Sequence, residues 1–169
     1  IIQKLRRSIL DNSCSLHSFC DSIATIDSIY SLSILAGAKD YTPPVVSTDA
    51  KIHISEGRHP VVERMLTENF VSNDTLLDCD KNHMIILTGP NMSGKSTYVR
   101  QTTIRVILAQ VGSYIPAKST EIGIADKIFT RIGAHDDIIR GQSTFMVEMN
   151  ETADILNNIT DRSLVILDE

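Results

Sequence analysis

The sequence predicts an α/β domain with a long helix in front of it, on three observations. The apolar run Met84-Ile-Ile-Leu-Thr88 leads into a glycine-bounded loop and then into a helical pattern. A second apolar run, Leu164-Val-Ile-Leu167, ends in Asp168-Glu169. The first 39 residues lack proline and carry apolar side chains three and four apart. Short unbroken apolar runs with β-branched residues read as strands buried on both faces.

Composition sets the outer limits. A chain of 169 residues, 42% hydrophobic and 22% charged, suits one soluble domain with an appendage. No apolar run approaches the roughly 20 residues that span a bilayer, and no signal peptide opens the chain. A net charge of −5 argues against a broad DNA-contacting surface, which needs clustered Lys and Arg. Cys14, Cys20 and Cys79 and five scattered histidines show no metal-ligand spacing, and free thiols point to a reducing compartment. The run ending at Glu169 has no polar tail, as expected of a piece of a longer chain.

Residues Ile2, Leu5, Ile9, Asn12, Leu16, Phe19, Ile23, Ile26 and Tyr30 form a helical seam close to a heptad repeat. One helix of that length would extend roughly 55–60 Å, longer than a small domain is wide. It reads as a strut from a helical core or lever domain, residues 1–40. Ala36-Gly37 should end it, and Tyr41-Thr-Pro-Pro44 reads as a stiff linker to a second domain, residues 45–169. Lys51-Ile-His-Ile-Ser55 alternates like a half-buried strand, and Glu56-Gly-Arg-His-Pro60 is a turn. Arg58 suits either a nucleotide or a structural ion pair. Phe70 suits either a purine base or the core, and the sequence favours the core.

Gly89-Pro-Asn-Met-Ser-Gly-Lys95-Ser96 matches G-x-x-x-x-G-K-[ST] between a strand and a helix, the setting of a phosphate-binding loop. Gly89 and Gly94 let backbone amides turn inward to cradle phosphate oxygens, and the helix from about Gly94 adds its positive end. Lys95 would reach the β- and γ-phosphates and Ser96 would ligate Mg²⁺. Tyr98 to about Ser113 reads as that helix, with Val99, Thr103, Val106, Ile107 and Gln110 on one face.

Lys127-Ile-Phe-Thr-Arg-Ile132 is a strand candidate. The polar loop 133–142 holds Asp136, Asp137 and Arg140, to which no catalytic role is assigned. Ser143-Thr144 would cap a helix from Phe145 to about Asn158, with Phe145, Met149, Thr152, Ala153 and Leu156 along one side. Its start suits an ordinary cap and a phosphate sensor equally. Asp168 stands where phosphate-loop enzymes hold Mg²⁺, and Glu169 where a base orients the attacking water. The pair points to hydrolysis rather than mere binding.

Three runs, GPNMSGKST (89–97), STFMVEMNETADIL (143–156) and LVILDE (164–169), resemble the MutS family of DNA mismatch-repair ATPases. EGRHPVVE (56–63), GSYIPA (112–117) and IFTRIGAHDD (128–137) extend the likeness over nearly the whole chain. The resemblance implies a P-loop ATPase fold of the transporter-cassette type, here its amino-terminal part up to the Walker B pair Asp168-Glu169. It implies ATP and Mg²⁺ as cofactors, with Gly89, Pro90, Asn91, Met92, Ser93, Gly94, Lys95, Ser96 and Thr97 binding ATP. Asn91 would lie beside the γ-phosphate and Phe70 near the adenine. Ser96 and Asp168 would hold Mg²⁺, with Lys95 and Glu169 catalytic. Ser143 and Thr144 would face a nucleotide held by the partner subunit.

The implied partners are mismatched double-stranded DNA, a second subunit giving a homodimer, and a downstream repair factor of the MutL type. The implied setting is the bacterial cytoplasm, nucleoid-associated, with no membrane. ATP would switch the dimer between mismatch scanning and a sliding clamp. Ser93 stands where many bacterial relatives have Gly, and the mismatch-reading domain, clamp helices and dimerisation helices are not in this stretch. A meiotic-crossover relative is the alternative, separated by its absent mismatch-reading domain. A transporter or chromosome-structure cassette would show an LSGGQ-type signature where this chain has STFMVEM. A module using nucleotide only for assembly would not need Asp168-Glu169.

Overall fold

The computed structural model describes residues 2–37, 40–132 and 144–168, and the chain forms two compact units, residues 1–39 and 40–169. The first unit holds helix α1 (Ile2–Asp11) and helix α2 (Ser13–Ala36). The single helix expected from the seam is therefore interrupted at Asn12. Its side-chain Nδ2 donates to the Ser8 carbonyl at 2.8 Å and its ψ is 8°. Asn competes with helix geometry through its own hydrogen bonds, so a polar residue in the seam became a break. Gly37 closes α2 as expected, but at φ −75°, without using its left-handed freedom.

The seam is uncovered: Leu5, Phe19, Ile26 and Tyr30 are all exposed. Contrary to the composition argument, α2 is by length and composition apolar enough to cross a membrane, with mean hydropathy 1.2. Its serines and threonines interrupt the apolar run but count little in the mean. Ser22, Thr25 and Ser28 turn their hydroxyls back onto carbonyls four residues earlier. Asp21 and Asp27 lie within it.

The second unit is mixed α/β. Its strands are β1 (Val45–Ser47), β2 (Lys51–Gly57), β3 (Asn73–Asp78), β4 (Ser119–Gly123), β5 (Lys127–Ile132) and β6 (Ser163–Asp168). Its helices are α3 (Val62–Met65), α4 (Lys95–Gln110) and α5 (Thr144–Asn158). One sheet runs β1-β4-β2-β3, with β1 parallel to β4 and the other pairs antiparallel. Ile52 of β2 faces Ile122 and Leu77, and Ile54 faces Thr120 and Thr75. The second sheet is the parallel pair β5-β6, with Ile128 opposite Leu164 and Ile132 opposite Asp168. Parallel neighbours need a long crossover, and α5 lies in that connection.

The core is Ile52, Ile54, Val106, Ala109, Ile115, Ala117 and Ile122, where α4 packs on the first sheet, with Ile128 and Leu164 against it. The buried side of α4 matches expectation at Thr103 and Val106 and departs from it elsewhere. Gln101, Thr102, Thr103, Arg105, Val106 and Ala109 are buried, while Ile107 and Gln110 are exposed. The pattern misled because Arg105 is fully buried, its guanidinium lying against Gly57. On α5, Phe145, Met149 and Leu156 are exposed and Ile155 is the buried residue, so its packed side is turned from the expected one.

The largest difference concerns Met84–Thr88. It forms no strand, and Met84, Ile85, Ile86 and Leu87 are 74%, 38%, 75% and 38% exposed. A strand needs a neighbour to accept and donate its backbone hydrogen bonds. This segment finds none among the described residues. The exposures nevertheless alternate along the segment. Ile85 and Leu87 line a cavity of about 570 Å³ whose other walls include Leu77, Tyr98 and Leu164–Leu167 of β6.

Candidate nucleotide and metal site

The loop 89–94 delivers the chain to the start of α4. Gly94 stands at φ +92°, where a side chain would be strained, and no side chain caps the helix it precedes. The first amides of α4 are thus left without a side-chain acceptor, and its first turn carries no acid of its own. The Lys95 ammonium reaches back across the loop and donates to the carbonyls of Gly89 (2.8 Å) and Pro90 (3.1 Å). A cation resting on two carbonyls is held by exchangeable neutral acceptors rather than by a carboxylate.

Ser96 lies half-buried in the first turn of α4, and its hydroxyl donates to Asp168 Oδ1 at 2.9 Å across 72 residues of sequence. Asp168 is the last residue of β6, and its side chain is 13% exposed. The second oxygen, Oδ2, faces the Arg100 guanidinium at 3.5 Å. Asn91, Met92, Ser93, Gly94, Lys95, Ser96, Thr97 and Asp168 together line a cavity of about 450 Å³. An uncapped helix end, an ammonium, and a hydroxyl beside a carboxylate are the donor set for a polyanion carrying a hard divalent cation. The residues fit that pair of ligands. Met92 at the loop tip has φ +64° and is fully exposed.

The other candidates are placed as follows. Phe70 is half-buried and lines neither this cavity nor the larger one. Thr144 begins α5, while Ser143, the loop 133–142 and Glu169 lie outside the described residues. Arg58 takes its structural alternative. Its Nε donates to Glu63 Oε2 at 2.7 Å and a terminal nitrogen donates to the Asp40 carbonyl at 2.9 Å. Glu63 also accepts from the Tyr41 hydroxyl at 2.8 Å. Burial first, and then that carboxylate, push the Tyr41 pKa up to about 12. His59, buried, accepts the Val61 and Val62 amides at Nδ1, 3.3 Å each. Burial and then the nearby Arg105 charge hold its pKa below the ordinary value. Arg100 escaped the sequence reading. Its signal was its spacing, four residues after Ser96 and hence one turn along the same face.

Residues 85–169 match the family model for MutS domain V. The chain belongs to the MutS family. It is 52% identical over its whole length to the DNA mismatch repair protein MutS of Acetivibrio thermocellus. It is 50% identical, again over the whole chain, to the protein of that name from Methanosarcina acetivorans. Over 98% of the chain it is 48% identical to the DNA mismatch repair protein msh3 of Aspergillus fumigatus. The chain spans only 20%, 19% and 15% of these relatives' lengths. The matched residues include the whole of α4, β4, β5, α5 and β6, and with them the loop and Asp168.

Proposed function

We propose that this MutS-family chain is the nucleotide-binding part of an ATPase that controls the DNA binding of a mismatch-repair protein. The observation that carries the reading is the 2.9 Å contact between Ser96 and Asp168. It joins the glycine-bounded loop to the acidic strand end, two motifs separated by most of the domain. On this reading the second unit, from residue 45 on, is a P-loop fold of the transporter-cassette type, and residues 1–40 end a helical lever domain.

Loop amides 89–94 and the α4 end take the phosphates, and Lys95 exchanges its two carbonyls for phosphate oxygens. Ser96 and Asp168 hold Mg²⁺, and Asn91 lies beside the γ-phosphate. ATP, when bound, would supply the phosphoryl group that passes to water, and Mg²⁺ would offset the phosphate charge. Glu169 orients that water and takes its proton. Phe70 lies near the adenine, and Ser143 and Thr144 reach the nucleotide of a second subunit. The partners are mismatched double-stranded DNA, a second copy of the protein and a MutL-type repair factor, in the cytoplasm. The relatives' printed names support mismatch repair over the crossover alternative.

The test is ATP turnover by the full-length protein on mismatched and perfectly paired duplex, at one stated salt concentration because phosphate contacts dominate such affinities. A clear difference between the duplexes supports a mismatch-gated ATPase. Equal turnover, with a response to branched DNA, rejects it in favour of the crossover relative.

A further inference from the structure

We propose that Arg100 is a positioning residue for the metal: it anchors one oxygen of Asp168 so that the other is presented beside Ser96. The inference rests on the nucleotide-and-metal reading above and adds a residue that the phosphate-loop motif does not contain. Ser96 and Arg100 lie one turn apart on α4, so a single helix face meets both oxygens of one carboxylate. Oδ1 accepts from the Ser96 hydroxyl at 2.9 Å, while Oδ2 faces the guanidinium at 3.5 Å. No other cation stands within ion-pair distance of Asp168 among the described residues.

The terminal torsion of an Asp side chain is broad and roughly two-fold. A carboxylate held at one oxygen swings more freely than one whose second oxygen also faces a cation. The arrangement divides the labour. Asp168 is mostly shielded, at 13% exposure, so a neighbouring side chain contributes to fixing its second oxygen. The Arg100 side chain is 49% exposed and so serves as an anchor at small desolvation cost. With Oδ2 facing Arg100, Oδ1 beside the Ser96 hydroxyl would be the oxygen left to hold the metal or its water. Partners that orient a metal ligand typically affect metal affinity by about 10–100-fold.

The opposite effect, repulsion between the guanidinium and an incoming dication, predicts the opposite sign, which makes the proposal decidable. In the full-length protein, retention of ATP is titrated with Mg²⁺, and Mn²⁺ binding to the nucleotide-loaded protein is followed by electron paramagnetic resonance. Arg100→Gln is expected to raise the half-saturating Mg²⁺ about tenfold and to weaken Mn²⁺ in step. Nucleotide binding without metal should stay unchanged. Arg100→Lys, which keeps the charge but not the fork, should fall between wild type and Arg100→Gln. Arg100→Lys also carries the test should Arg100→Gln not fold. An unchanged or lowered Mg²⁺ requirement overturns the proposal.

Lys95→Ala, run in parallel, separates the two readings. If it loses ATP while the Arg100 variants keep the wild-type Mg²⁺ requirement, only the Arg100 proposal fails. If wild type and Lys95→Ala retain ATP alike, or if neither responds to Mg²⁺, the nucleotide reading fails and this one with it.

Discussion

Arg105 lies fully buried with its Nε donating to the Gln101 carbonyl at 3.0 Å, while both terminal nitrogens lack partners among the described residues. Burial pushes its pKa down to about 10, still far above neutral, so the cation persists. The Gln101 amide beside it is also unpartnered, as are the Thr75 and Thr120 hydroxyls that flank Ile54. Each such buried polar group costs about 1–3 kcal/mol. Arg105→Met should therefore stabilise the protein by about that amount, read as a raised denaturation midpoint; a lowered midpoint would reveal a partner for the guanidinium. Gly57→Ala should do the reverse, because a Cβ there overlaps the Arg105 guanidinium, and overpacking costs about 1–3 kcal/mol. In the double variant Arg105→Met with Gly57→Ala the penalty should largely vanish. At the site itself, Lys95→Ala removes a charge-assisted contact worth about 1.5–3 kcal/mol, or about 10- to 150-fold in ATP affinity. Wild-type affinity in that variant would remove the loop from the mechanism.

At the scale of elements, the one-turn α3 is tied down by His59, Glu63, Arg58 and Tyr41 rather than by its length. Because the folded pKa of His59 is lowered, the unfolded chain binds the extra proton. Stability from this group is complete above its unfolded value of about 6.5 and is lost as pH falls through that value toward the folded one. The denaturation midpoint should decline on going from pH 7.5 to 5.5, and His59→Asn, which retains an acceptor for the two amides, should flatten the decline. An equal slope in both proteins would assign the pH dependence to other groups. The β5-β6 pair has its own fastening: Asp126 accepts from the Thr160 hydroxyl, which holds the turn before β6 against the start of β5. That contact lowers the Asp126 pKa. The Arg131–Glu148 ion pair, at 2.6 Å, links β5 to α5.

For the whole molecule, the seam of α1 and α2 and the side chains of Met84 and Ile86 are exposed apolar surface among the described residues. A chain spanning about a fifth of its relatives' length carries the phosphate side of the proposed site. On the proposed two-subunit site, one side alone holds a nucleotide weakly. The 169-residue chain by itself should accordingly bind ATP weakly and turn it over slowly. Brisk turnover, independent of protein concentration, would show that one chain suffices. In the full-length protein, Glu169→Gln should retain ATP without hydrolysing it; wild-type turnover would exclude Glu169 as the base.

What the sequence by itself determined was local. The loop 89–96 and the strand ending at Asp168 follow from short-range pattern: glycines at fixed offsets, and four apolar residues before an acid. The strand Lys127–Ile132, the bounds of α5 and the existence of α4, though not its bounds, were legible for the same reason, since periodicity is a property of consecutive residues. The family, too, was legible, because its motifs are contiguous. Only tertiary structure decided which residues meet. It placed the Ser96 hydroxyl on Asp168, put Arg100 on the remaining oxygen, and committed Arg58 to Glu63. It buried Arg105 on the face where the apolar pattern had put Ile107. It also left Met84–Thr88 without a strand partner, because sheet hydrogen bonds belong to pairs of segments and no run of residues carries them alone.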